Sequence, residues 1–245
     1  MLRINKPLPG ASIKLLIFDL DGTLIDSRLD LANSVNGMLR HFRRPELPAE
    51  VIAGYIGDGA PMLIRRALGD PENEAFFKEA LEYFIFYYRA HKLDTTALYR
   101  GIPDALEGLG NGSGFQRRMA VLSNKPVNPS RGIVDALGIG GFFSQVYGGN
   151  SFPTKKPDPL GARTLLQENG VEPHEALIIG DSSIDVLTGR NAGMWTCGVT
   201  YGYGPGTLSQ APPDVLVDSP YELPLIFSTK PPEPDEYAEI PGITA

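Results

Sequence analysis

The sequence predicts an α/β fold of the doubly wound kind: a parallel sheet with helices on both faces and an all-helical insert after the first strand. Three observations carry this. Short apolar runs, IKLLIF (13–18), MAVLS (119–123), ALIIGD (176–181) and MWTCGV (194–199), alternate with helix-length segments, as βαβ units do. The runs are apolar at consecutive positions, the pattern of strands buried on both faces. Residues 27–95, between the first two runs, carry helical spacing and no strand signal.

Taken in order, residues 1–12 contain Pro and Gly without periodicity and read as a loose lead-in. The first strand, 13–18, ends at Asp19. Ser27 is placed to cap a helix in which Ala32, Val35, Leu39 and Phe42 share a face. Leu63, Ile64, Ala67 and Leu68 make a second stripe, and 72–91 is a helix rich in Phe and Tyr. After Gly101 the spacing predicts a helix at 102–109, a strand at 119–123, a helix at 129–137 and a short strand near 142–147. A helix at 158–169, a strand at 176–181, a helix at 183–191, strands at 194–199 and 214–217 and a short helix at 220–227 follow. The predicted organisation is a core of residues 1–25 and 96–228, a helical domain at 26–95, and an acidic, Pro-rich tail at 229–245 that reads as disordered.

Composition narrows the function. The 245 residues hold 22 Lys and Arg against 29 Asp and Glu, a formal charge of −7. Such a balance argues against nucleic acid as a partner, since phosphate-backbone affinity comes from clustered cations. A single cysteine, Cys197, excludes an intramolecular disulfide and a Cys-based zinc cage, and it reads as a buried strand residue. His41, His91 and His174 are too scattered for a metal site. The opening residues lack an apolar signal core and no stretch is long and apolar enough for a membrane span, so the expectation is a cytoplasmic protein. Monomer and homodimer both remain open.

In open α/β sheets the chemistry sits outside the carboxyl ends of the strands. Three such ends here are unusually polar: FDLDGTLIDS (18–27), LSNKP (122–126) and IIGDSSID (178–185), with TKKPDP (154–159) in a loop between the last two. Each alone is ordinary strand-exit or turn chemistry. Together, at successive strand ends, they suit phosphoryl transfer. Asp19 and Asp21, two apart on extended chain, share a face, and close carboxylates need a cation. Asp181 and Asp185 add oxygens, a donor set for Mg²⁺. Gly22 permits a sharp turn whose backbone N–H groups face an anion. A lysine of the TKKPDP loop neutralises phosphoryl charge, and Ser123 and Asn124 add short donors. No Walker loop is present.

At these residues the chain resembles the haloacid dehalogenase-like hydrolases, and among them the phosphoglycolate phosphatase-like group. The resemblance spans about 13–226 and rests on DLDGT (19–23), Ser123 with Asn124, Lys156 before Pro157, and GDSSID (180–185), in that order. IGDGAPMLIRRAL (56–68), VTYGYG (199–204) and PPDVLVDSPYEL (212–223) extend it. It implies a Rossmann-like core with a helical cap. It further implies that Asp19 is a nucleophile forming an aspartyl-phosphate, that Asp21 is the general acid and base, and that Lys156 and Ser123 bind the phosphoryl group. Mg²⁺ would be held by Asp19, the carbonyl of Asp21, Asp181 and Asp185, the last directly or through water. Only the family's Lys-Pro pattern selects Lys156 over Lys155.

The second aspartate favours a phosphate ester, because relatives that dehalogenate have no alkoxide to protonate. Asn124, Gly22 and Thr23 are further candidates for the substrate phosphate, and Gly57 and Arg65 for the remainder of a small phosphorylated metabolite. The best single expectation is 2-phosphoglycolate. A sugar-phosphate, nucleotide or pyrophosphate hydrolase of the same family, or a phosphosugar mutase, is compatible with the same core.

Overall fold

The computed structural model describes residues 1–110 and 117–227, so the expected tail lies outside the described residues. Nine strands and eight α-helices are described: β1 (Arg3–Ile4), β2 (Leu15–Phe18), β3 (Ile25–Asp26), α1 (Arg28–His41), α2 (Ala49–Ala53), α3 (Ala60–Ala67), α4 (Glu74–His91), β4 (Ala97–Leu98), α5 (Ile102–Gly110), β5 (Arg118–Leu122), α6 (Val127–Ala136), β6 (Gln145–Tyr147), α7 (Leu160–Asn169), β7 (Ala176–Gly180), α8 (Ser183–Ala192), β8 (Trp195–Val199) and β9 (Val215–Val217).

Seven strands form one sheet in the order β1-β9-β8-β7-β2-β5-β6, parallel except at β1. Alternation along the central strands splits the core. Leu16 and Phe18, Met119 and Val121, Leu177 and Ile179 face a cluster with α5 and α6. Leu15 and Ile17, Ala120 and Leu122, Ala176 and Ile178 face α7 and α8. A sheet dressed on both sides needs strands without a polar face, which is why these runs are continuously apolar. From β2 the chain reaches β5 and β6 on one side and then returns to β7, β8 and β9 on the other. That reversal opens a crevice at the carboxyl ends of β7, β2 and β5.

The lead-in does contribute a strand. Arg3 and Ile4 pair antiparallel with Leu216 and Val215, closing the edge of β9. Two residues are too few to show periodicity, so the sequence carried no sign of it. The expected helix at 220–227 is two 3₁₀ turns, Pro220–Glu222 and Pro224–Phe227, each begun by a proline.

Helices α1–α4 share their own apolar cluster, which includes Val35, Met38, Ile52, Ile64, Phe77 and Phe84. Their two connections to the sheet are bound together. β3 and β4 form an antiparallel ribbon, and the Asp30 carboxylate in the first turn of α1 accepts from the backbone N–H and hydroxyl of both Thr95 and Thr96. Asp30 is 1% exposed, and those donors hold its carboxyl below the ordinary value although burial pulls the other way.

Candidate active site

Asp19 stands one residue past β2, its N–H still donating to the carbonyl of Ile179 at 2.9 Å. Asp181 follows the last residue of β7, and Asp185 lies in the first turn of α8. One oxygen from each lies within 4.8 Å of the others. Between them enters Lys156, whose Nζ is 2.8 Å from Asp19 Oδ1 and 2.6 Å from Asp185 Oδ1. Lys156 is buried while Lys155 is exposed, which separates the two lysines.

Three carboxylates face one ammonium in this buried cluster, so full ionisation leaves two negative charges unmatched. The imbalance shows in the acids. Burial raises the carboxyl of Asp19 above its ordinary range, opposed by Lys156 and assisted by Asp185. Burial also raises Asp181, reinforced by repulsion from Asp185 and Asp19. Asp19 Oδ1 is buried and lacks an aligned hydrogen-bond donor, its contact with Lys156 being close but off axis. Hard oxygen donors short of two positive charges fit a divalent cation.

The remaining oxygens are held by the protein. Asp181 Oδ2 accepts from the N–H groups of Tyr203 and Gly204 at 2.6 and 3.0 Å. Close packing around it requires glycine twice. A Cβ at Gly22, where φ is +84°, would stand 2.4 Å from Asp181 Oδ2, and one at Gly202 would stand 2.3 Å from Asp181 Cβ. Asp185 Oδ2 accepts from the N–H and hydroxyl of Ser182, closing the N-terminus of α8 as a capping box.

Asp21 stands at the start of the turn that follows β2, bridged to Ile25. Its oxygens accept from Lys125 Nζ at 2.8 and 3.1 Å, and Oδ1 also accepts from the Ser27 hydroxyl. This corrects the expected cap: Ser27 precedes α1, but its side chain makes no capping bond and serves Asp21 instead. Two further expectations are corrected. The N–H of Gly22 is taken by the carbonyl of Ile25 at 2.9 Å and that of Thr23 by Leu20 at 3.3 Å, so neither is free for an anion. Thr23 is fully buried, and neither residue lines the cleft.

A cleft of about 570 Å³ opens over this cluster, with Asp19, Asp21, Ser123, Asn124, Lys156, Asp181, Asp185 and, from the helical side, Gly57 on its walls. Asn124 is a bracket: its amide donates to the carbonyls of Gly57 and Lys156 at 2.9 and 3.1 Å and accepts from Lys156 N–H at 3.0 Å. Those bonds engage its side chain, while the residue itself lines the cleft. Arg65 is also corrected. It pairs with Glu74 at 2.8 Å and Asp70 at 3.4 Å, lies over the Phe77 ring, and does not line the cleft. Its neighbour Arg66 steadies the cleft loop by pairing with Asp58 and donating to the carbonyl of Tyr55.

Three further residues at the site, Lys125, Tyr88 and Tyr203, carry no clear signal in the sequence. Lys125 stands inside LSNKP, where the adjacent Ser123 and Asn124 read as the donors and nothing local shows that the lysine meets Asp21. Tyr203 belongs to VTYGYG, and Tyr88 to an aromatic run whose helical phase alone did not show which ring turned inward.

Fold and site together define an α/β protein with a cluster of carboxylates at the switch point of a parallel sheet. The chain belongs to the haloacid dehalogenase-like hydrolases, whose family model matches residues 16–199. It is 39% identical over 201 residues to a phosphoglycolate phosphatase of Haemophilus influenzae, covering 79% of this chain and 88% of that protein. It is 38% identical over 217 residues to a phosphoglycolate phosphatase of Pseudomonas putida, covering 86% of this chain and 78% of the other. Among solved structures, a predicted phosphoglycolate phosphatase from Haemophilus somnus superposes with a TM-score of 0.82 at 33% identity, over 89% of this chain and 99% of that one. No described helix is long and apolar enough to cross a membrane.

Proposed function

We propose that this phosphatase is a Mg²⁺-dependent phosphomonoesterase working through an aspartyl-phosphate, with 2-phosphoglycolate as substrate. The observation that carries the chemistry is the pairing of Asp19, in a buried carboxylate cluster with Lys156, with Asp21, held apart from that cluster by Lys125. The substrate rests on the names of the relatives.

In this reading a carboxylate oxygen of Asp19 attacks phosphorus and the bond to the ester oxygen breaks. Asp21 gives its proton to the departing alkoxide, then takes one from the water that attacks the phosphorus of the aspartyl-phosphate. Lys156 and Ser123 hold the phosphoryl oxygens. Asp19, Asp181, Asp185 and the carbonyl of Asp21 would hold Mg²⁺, which when bound supplies the missing positive charge and polarises the phosphoryl group. Residues 26–95 act as a cap that closes over the cleft and excludes water.

Asp19→Asn tests the mechanism. The amide is a poor nucleophile, and kcat should fall by about 10⁴-fold or more. Rapid acid quench of the wild type with substrate labelled at phosphorus should trap label on the protein. Near-wild-type turnover by Asp19→Asn would sink the covalent mechanism.

A further inference from the structure

On the helical side of the cleft one polar atom is unaccounted for. Tyr88, near the end of α4, lines the cleft at 6% exposure; its Oη has no well-aligned hydrogen bond among the described residues, and the neighbouring Lys125 ammonium can only donate to it, so its O–H is left without an acceptor. A hydroxyl in that position costs stability unless something accepts from it. Beside it, 4.9 Å from the ring centroid, lies the Nζ of Lys125, buried and directed at Asp21. An ammonium has three N–H donors, and the two oxygens of Asp21 do not exhaust its capacity for an anion. The neighbouring wall is apolar, with Leu31, Ile56, Leu63 and Phe84. Arg89 and Lys92 also reach the cleft, but Arg89 is exposed and Lys92 half-buried, so water serves them.

We propose that Lys125 and Tyr88 form the subsite that reads the leaving group, and that its ligand is a carboxylate on the carbon next to the phosphate ester. This rests on the phosphatase reading and deepens it by supplying a physical basis for the substrate class. Distance is the argument. An acid that protonates the ester oxygen stands within a hydrogen bond of it, and Lys125 Nζ is a further 2.8 Å from Asp21 Oδ1. The ammonium is therefore within roughly 6 Å of the ester oxygen, the span of one methylene, one carboxylate and one ion-pair contact. A carboxylate satisfies Tyr88 and Lys125 together. Lys125 thus has two duties, positioning Asp21 and binding the substrate's second anion.

The test compares 2-phosphoglycolate with ethyl phosphate, which has the same ester and lacks the carboxylate, each with Mg²⁺ and scored as kcat/KM. Wild type should prefer 2-phosphoglycolate by 100-fold or more, on the order expected where a polar site loses its partner. Tyr88→Phe removes the hydroxyl that would donate to the carboxylate while keeping the ring beside Lys125, and should lower the preference about tenfold, chiefly through KM. Lys125→Met should bring the preference down further and also lower kcat for both esters, because Asp21 loses its tether. Melting temperatures verify that both variants fold. A wild type that cleaves both esters equally, or a Tyr88→Phe variant that keeps the wild-type preference, overturns this proposal while leaving the phosphatase reading intact. A wild type that cleaves no phosphate ester at all overturns both.

Discussion

The two walls of the cleft are built on opposite principles. On the sheet side every carboxylate of the cluster is fixed by neighbours: Asp185 by Lys156 and the Ser182 cap, Asp181 by two backbone N–H groups, Asp19 by its place at the end of β2. On the helical side the wall is chiefly apolar, with the Tyr88 hydroxyl, Arg89 and Lys92 as its polar groups, and a loop at Gly57 bracketed by Asn124. Groups that make and break bonds gain from being held in place before substrate arrives, because any reorganisation adds to the barrier. A wall that selects the substrate gains from leaving its donors unsatisfied until the right partner enters, since the wrong one then leaves them unpaired.

The sharpest way to break this contrast is Lys156→Met. Removing the one ammonium leaves three buried carboxylates with no countercharge. Breaking a buried ion pair costs about 3–5 kcal/mol, and the loss of a charge on the transferring phosphoryl group lowers kcat on the order of 10²–10³-fold. Urea unfolding without divalent cation measures the first and steady-state kinetics the second. If stability is unchanged, the sheet-side cluster is not the locked array its geometry describes.

The same contrast explains what could be read in advance. The sheet-side groups stand in short motifs because each strand end delivers its residue to the crevice by topology alone, so Asp19, Asp181, Asp185 and the Lys-Pro pair were all visible. The couplings between segments were not. Nothing local tells that Asp30 meets Thr95 and Thr96, or that Ile4 pairs with Val215 at the far end of the chain. Adjacent side chains on a helix diverge by roughly 100°, and spacing alone did not say which of Arg65 and Arg66 turns toward the cleft loop. Gly22 and Thr23 were misread for another reason: a tight turn uses its own N–H groups before any ligand can.

Asp30→Asn probes the joint between the two walls. An amide nitrogen would face N–H and hydroxyl donors that now converge on a carboxylate, so the expected loss is about 2–3 kcal/mol at pH 7. The dependence on pH has a definite sign. The folded carboxyl titrates below its ordinary value of 3.8, so its contribution is fully present above that value and is lost as pH falls through the lower folded value. The stability gap between wild type and Asp30→Asn, measured by urea unfolding, should be constant from pH 7 to about pH 5 and shrink below about pH 4. A gap that widens on acidification would mean the carboxylate is not what the threonines hold.

The smallest effect is expected at Arg65, and a null result there is informative. Its partners Glu74 and Asp70 are exposed, at 61% and 82%. Ion pairs to such exposed partners are screened by water and contribute little, and Arg65 otherwise only lies over the Phe77 ring. Arg65→Ala should therefore change stability little and leave kcat and KM for 2-phosphoglycolate within about twofold of wild type. Arg66→Ala, one residue on, should raise KM several-fold, because Arg66 ties the Gly57 loop through Asp58 and Tyr55. The contribution of α3 to recognition would then lie in how the Gly57 loop is held rather than in Arg65 reaching into the cleft. If Arg65→Ala raised KM and Arg66→Ala did not, the guanidinium of Arg65 would have to turn inward on substrate binding, and the sparse wall described above would be only its resting form.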